Sequence, residues 1–127
     1  MALQSLYLSD TCHLPVESAL KSTFPDGVSE PIRKFAAHLA IGVEGHMGQI
    51  DALLTKYAQN WDLNRMASID RNILRLSTFE ILHDVETPVS VIIDEAIEIA
   101  KTYSTEDSGK FVNGILDKVK TERKTAA

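Results

Sequence analysis

Along most of this chain apolar residues return every three or four positions, the spacing that keeps one face of an α-helix out of water. Pro15 opens a short predicted helix that runs to about Thr23. Phe24-Pro25-Asp26-Gly27 then reads as a turn, with Pro and Gly supplying the dihedrals it needs. From Ser29, an N-cap residue type with Pro31 in the first turn, one long helix is expected to about Gln59. Its apolar stripe is Phe35, Ala36, Leu39, Val43, Met47, Ile50, Leu53, Leu54 and Tyr57. Gly42, Gly45 and Gly48 fall inside that helix and each costs about 1 kcal/mol against Ala, so a close helix approach or a local kink must offset them.

Asp62 can cap a further helical region of about residues 63 to 84, whose core face is Met66, Ile69, Ile73, Leu74, Leu76, Phe79 and Leu82. Pro88 limits its extension. Val89 to about Tyr103 begins with a Val-Ser-Val-Ile-Ile run that a strand could also use, but its length and the Glu-Ala-Ile-Glu-Ile-Ala-Lys continuation decide for helix, with Val91, Ile92, Ala96, Ile97, Ile99 and Ala100 inward. Ser104-Thr105-Glu106-Asp107-Ser108 places hydroxyl caps and acids where the positive end of a helix dipole favours them. A last helix then runs to about Arg123, burying Phe111, Val112, Ile115, Leu116 and Val119. Nothing in the pattern asks for a sheet. The fold class is all-α, a compact bundle of about six to seven helices.

At 127 residues, 44% hydrophobic and 24% charged, the chain suits a single folded domain over residues 1–127. The lone Cys12 rules out an intrachain disulfide and a thiolate metal cluster, and fits a reducing, cytoplasmic setting. No apolar run approaches the roughly 20 residues that a bilayer demands, so no membrane span is expected. The N-terminus lacks the basic region of an export signal. A net charge of -5 argues against strong independent binding to a polyanion. The charge is uneven, however: residues 1–100 hold 7 Lys and Arg against 14 Asp and Glu, while residues 101–127 hold 6 against 4. A nucleic acid should therefore prefer the C-terminal segment.

Trp61-Asp-Leu-Asn-Arg65, then Ile69-Asp-Arg-Asn-Ile-Leu-Arg-Leu76 and Glu80-Ile-Leu82, resembles the central signature of the NusB family. Pro88-Val-Ser-Val-Ile-Ile-Asp-Glu-Ala-Ile-Glu-Ile-Ala-Lys101 is similar to that family's next helix, and Glu106-Asp-Ser-Gly-Lys-Phe-Val-Asn-Gly-Ile-Leu-Asp117 to its closing motif. Ala2-Leu-Gln-Ser-Leu-Tyr7 resembles the end of its first helix, so the likeness spans nearly the whole chain and is weakest from Ser9 to Glu30. The resemblance implies two small helical sub-bundles. It also implies a role in ribosomal RNA synthesis, where the factor joins the NusE ribosomal protein on single-stranded boxA RNA and helps RNA polymerase resist termination. Family members usually carry an Arg-rich stretch ahead of the Ala-Leu-Gln segment. Here no Lys or Arg precedes Lys21, so weaker RNA binding with a flatter salt dependence is expected.

The resemblance marks Asp107, Ser108, Lys110 and Asn113 as an RNA cradle: Lys110 to neutralise phosphate, Asn113 to read a base edge, with Lys118 further along the same exposed side and Phe111 placed in the core. The plain alternative is an ordinary capped helix with Asn113 bonded to a loop. Gln4 and Tyr7 stand on the first helix, where Tyr7 either stacks on a base or buries its ring and wets its hydroxyl. Arg71 and Arg75, one turn apart, either extend a phosphate track or pair with Asp70, Glu80 or Asp94. The acidic surface of residues 62–98 reads as a docking face for a basic partner, with Asp70 and Glu95 as its anchors and Asp107 at its border. Both a monomer and a homodimer that hides the RNA surface are compatible with this pattern.

An enzyme fits poorly. Asp94 and Glu95 point about 100 degrees apart on a helix, and His38 and His46 lack a third ligand at metal spacing. No Gly-rich phosphate loop or nucleophile elbow occurs, and no cofactor is expected. The rival reading is a protein-interaction module similar to the NusB-like domain ahead of ribosomal RNA cytosine methyltransferases, with little RNA affinity of its own.

Overall fold

The structure is a computed structural model that describes residues 2–23, 29–58 and 63–126. The turn expected at Phe24 to Gly27, the Asp62 cap and Trp61 of the central motif lie outside the described residues. Among those described there are seven α-helices and no strand: α1 (Ala2–Cys12), α2 (Val16–Thr23), α3 (Glu30–Gly45), α4 (Met47–Tyr57), α5 (Ser68–His83), α6 (Val89–Tyr103) and α7 (Glu106–Val119). A 3-10 turn, Leu63–Arg65, precedes α5, and a 3-10 segment, Lys120–Ala126, follows α7.

α5 is the centre of the bundle. α1, α2 and α3 pack on one another and, through α1 and α3, on one side of α5, while α6 and α7 pair closely on the other and α4 bridges α5 to α7. The α5 sequence explains this placement, because Ile73, Leu74, Phe79 and Ile81 are all buried and so are Asp70, Asn72, Ser77 and Thr78. A helix buried on so much of its circumference needs partners around it. Leu6, Val43, Ile50, Leu54, Val112, Leu116 and Val119 supply them.

The single helix expected over residues 29 to about 59 is two helices. His46 leaves helical geometry (φ -117, ψ 17), and α4 starts afresh behind it. Gly42 supplies the close approach. A Cβ there would stand 2.3 Å from Cζ of Phe79, whereas nothing lies within 4 Å of one at Gly45 or Gly48. The region expected at 63–84 begins later as α5, at Ser68 after Ala67, with the 3-10 turn ahead of it. Two residues expected inside are outside: Phe35 is 60% and Val91 44% exposed. α6 has the predicted bounds, and Thr105 caps α7 by accepting from the Ser108 N–H at 3.0 Å. Ser29 stands at the N-cap of α3 with Pro in the first turn, but its side chain makes no capping bond.

Distant residues bind the two halves. Asp10 on α1 accepts from Arg71 through Nε at 2.9 Å and Nη2 at 2.7 Å, and from Asn72 Nδ2 at 3.0 Å. Arg75 lies 3.5 Å from the same carboxylate and forms a two-pronged pair with Asp51 of α4, both bonds 2.9 Å. Burial is the largest single influence on Asp10 and raises its pKa, yet the bonds from Arg71 and Asn72 and the charges of Arg71 and Arg75 together hold it below the ordinary value. At the far end of α5, Arg123 donates to the carbonyls of Ile81 (2.8 Å), Thr87 (2.7 Å), Glu80 (3.3 Å) and Asp84. The Glu80 carbonyl also accepts from the Asp84 N–H at 2.9 Å, and a cation suits the negative end of the helix.

Candidate nucleic-acid interface

Two neighbouring clefts open beside the N-terminus of α5. The first, of about 290 Å³, lies between α5 and the start of α7, with Asp70, Thr105, Asp107, Ser108, Phe111 and Arg65 on its walls. Its floor is a hydroxyl–carboxylate network. Ser108 Oγ donates to Asp70 Oδ2 at 3.0 Å, and the Ser104 and Thr105 hydroxyls lie 2.8 and 3.1 Å from Ser108 Oγ. Asp70 is only 8% exposed, and its Oδ1 has no hydrogen-bond partner among the described residues. A buried carboxylate oxygen without a donor is costly, and a ligand amino or hydroxyl group would satisfy it. Arg65 and the partly buried ring of Phe111 add a cation and a flat apolar surface to the same walls.

The second cleft, of about 490 Å³, lies between α1, α5 and the end of α6 and is lined by Leu3, Gln4, Tyr7, Ile69, Ile99 and Tyr103. Tyr7 and Tyr103 are 42% and 67% exposed, so two aromatic faces are available for stacking. Ile69 looks into this cleft and its neighbour Asp70 into the other, which makes the two adjacent.

The structure therefore gathers Gln4, Tyr7, Asp107 and Ser108 at one end of the molecule, although α1 and α7 lie at opposite ends of the chain. Lys110 and Asn113 continue along the exposed side of α7, and Lys118 follows beyond them. Arg71 and Arg75 do not join this surface. Their side chains are 14% and 11% exposed and committed to Asp10 and Asp51, so pairing is their fate, with carboxylates other than Asp70, Glu80 and Asp94. Asp70 is likewise no part of an exposed acidic face. It lies inside, because it shares a buried stripe with Leu74, Ser77 and Ile81. Glu95 is exposed on α6, as a docking residue must be. The sequence reading missed Arg65 and Tyr103, and it assigned Phe111 wholly to the core. Tyr103, an aromatic at the last position of a predicted helix, was the available signal.

The model of the NusB family matches residues 1–121. The chain belongs to the NusB family. A transcription antitermination protein NusB from Elusimicrobium minutum is 43% identical over 126 residues, spanning 97% of this chain and 90% of that protein. Among solved structures, NusB of T. maritima superposes with a TM-score of 0.90 at 38% identity, covering 95% of this chain and 86% of that one. The all-α architecture expected from the sequence is thus the NusB fold. A structure of antitermination factors NusB and NusE in complex with dsRNA matches with a TM-score of 0.79 over 95% of this chain and 91% of the other, and at 22% identity it shows the same fold.

Proposed function

We propose that this chain acts in transcription antitermination as an adaptor, holding boxA-type single-stranded RNA jointly with the NusE ribosomal protein in a complex that travels with RNA polymerase. The observation that carries the reading is the meeting of Gln4, Tyr7, Asp107 and Ser108 on two adjoining clefts, with aromatic faces, Arg65 and an unsatisfied Asp70 oxygen among their walls. Unstacked bases need such surfaces: aromatic rings to lie on, and polar groups for their edges. Lys110, Asn113 and Lys118 extend the track along α7 toward phosphates. Family membership supports the function, and the NusB–NusE–dsRNA structure, which shares the fold, supports the pairing of protein and RNA partners.

The division of labour follows from charge. With a net of -5, and with Arg71 and Arg75 spent on internal pairs, this chain supplies few phosphate contacts, so a basic partner completes the site. The protein works as a single domain in the cytoplasm, by binding rather than by bond-breaking. No described helix is long and apolar enough to cross a membrane. The same spent arginines favour the second reading, a protein-interaction module of low RNA affinity.

A titration of boxA RNA with the chain alone, with NusE alone and with both, at two salt concentrations, separates the two. The adaptor reading expects the mixture to retain RNA well beyond NusE alone, and Lys110→Ala to lose RNA while still binding NusE. A mixture no better than NusE alone refutes it.

A further inference from the structure

α1 carries Gln4 and Tyr7 into the second cleft, yet little packing fixes where its far half lies. Its buried residues are Ala2, Ser5 and Leu6, and none of residues 7–12 is buried. Polar bonds from α5 reach that half instead. Asp10, about one helical turn beyond Tyr7, accepts on a single oxygen from Nε and Nη2 of Arg71, from Asn72 and, at 3.3 Å, from the Ser68 hydroxyl. The remaining nitrogen of the guanidinium, Nη1, donates at 3.1 Å to the carbonyl of Leu63, in the 3-10 turn that brings Arg65 to the first cleft. One side chain thus ties a wall of each cleft to α5.

We propose that Arg71 is a positioning residue for the RNA site, with Asp10 as its counterpart: together they set where α1 and the Leu63–Arg65 turn stand about the start of α5, and so the spacing of Gln4, Tyr7 and Arg65 across the two clefts. The inference rests on the adaptor reading above. Ile69 and Asp70, which line one cleft each, immediately precede Arg71, so the guanidinium is rooted in the wall that the clefts share. A guanidinium suits this task, because its planar fork fixes several directions at once and it stays charged. The pair is also sheltered. The two side chains are 14% and 21% exposed, so water competes weakly for their bonds. Arg75 plays a lesser part, since Asp51 of α4 takes two of its donors at 2.9 Å and Asp10 lies 3.5 Å away.

Spacing matters to a single strand, because each base finds its ring or its polar contact only when its neighbours find theirs, and a small misplacement of one wall forfeits the fit. Two substitutions separate position from charge and from general stability. Arg71→Lys keeps the charge but gathers it on one nitrogen, which cannot serve Asp10 and the Leu63 carbonyl in the same two directions. Asp51→Asn removes a similar half-buried pair on the α4 side and leaves the contact between Arg71 and Asp10 in place.

Titration of boxA RNA with the full chain and purified NusE tests the inference, at a temperature where thermal melts show each variant folded. Tyr7→Ala should weaken binding about tenfold, as loss of one stacking ring does. Arg71→Lys and Asp10→Asn should each weaken it about fivefold through misplacement alone. Combining Asp10→Asn with Tyr7→Ala should leave binding within about twofold of Tyr7→Ala by itself, because Asp10 acts through that ring. Asp51→Asn should stay within about twofold of the wild type, being independent of α1. If Asp10→Asn melts below the assay temperature, Arg71→Lys takes its place in the combination. Losses that multiply in the combined variant, an Asp51→Asn as weak as Asp10→Asn, or an Arg71→Lys that binds like the wild type overturns the positioning role and leaves the adaptor reading standing. A wild-type mixture no better than NusE alone refutes the adaptor reading and this inference with it.

Discussion

Replacing Gly42 with Ala should destabilise the protein, although the same change stabilises most helices. The added methyl would lie 2.3, 2.4 and 2.6 Å from three carbons of the Phe79 ring, where ordinary contact needs about 3.5–4.0 Å. The ring has little room to retreat. It is 4% exposed and stands against His83, His46 and His38, with centroids 4.8, 5.7 and 6.1 Å away. α3 must therefore move off α5 by about 1 Å or the ring must leave its rotamer, and overpacking of this kind costs about 1–3 kcal/mol. Against this, Ala gains about 1 kcal/mol over Gly in a helix. The net expectation is a loss of up to about 2 kcal/mol. Gly45→Ala meets nothing within 4 Å and should gain several tenths of a kcal/mol. Urea unfolding followed by circular dichroism would show the two midpoints moving in opposite directions at constant slope. Adding Phe79→Leu to Gly42→Ala should recover part of the loss, since the clash is shared by that pair. A Gly42→Ala variant as stable as Gly45→Ala would refute the reasoning.

Three further changes test other parts of the structure. Asp10→Asn leaves Arg71 short of its counter-charge, while Arg75 keeps Asp51, and should cost about 2–4 kcal/mol at pH 7. Because the folded-state pKa of Asp10 is depressed, its contribution is present above the unfolded value and lost as pH falls through the folded one. The gap between wild type and variant, followed by urea unfolding, should therefore close only in acid. Glu80 runs the other way: its folded value of about 7 means that stability falls as pH rises from the unfolded value toward 7. Glu80→Gln should be more stable at pH 8 by about 1–2 kcal/mol after allowance for solvent screening, and nearly equal to the wild type at pH 4, as read from melting temperatures. Arg123→Ala uncaps the C-terminal end of α5 and should cost about 2 kcal/mol; unchanged thermal unfolding would show that water replaces the guanidinium without loss.

How much could be read beforehand depended on whether the determining contact was local. α6 and the start of α7 were legible because Pro88 and the Ser104-Thr105 cap act within a few residues. The break at His46 was not, because the stripe continues in phase from Val43 through Ile50 to Leu54 and only the glycines hinted at it. Phe35 fits the buried spacing, yet no described element covers it, and periodicity cannot report a missing neighbour. Arg71 and Arg75 could be suspected of pairing, but their partners Asp10 and Asp51 lie 61 and 24 residues away. The burial of Asp70 was partly foreseeable, because its i+4 neighbour Leu74 and i+7 neighbour Ser77 face the interior with it. The candidate site was legible as residue types in motifs. The joining of Gln4 and Tyr7 to Asp107 and Ser108 required the packing of α1, α5, α6 and α7.

The central position of α5 sets a hierarchy of motion. Its backbone amides are wrapped by α1, α3, α4, α6 and α7, so their protons can exchange with solvent only when the whole molecule opens. Among the described elements α2 rests mainly on α1 and α3 and can detach at far lower cost. Deuterium should therefore enter α2 within a small fraction of the time it needs to reach Ile73, Leu74 and Ile81, leaving a slow-exchanging spine between two faster margins.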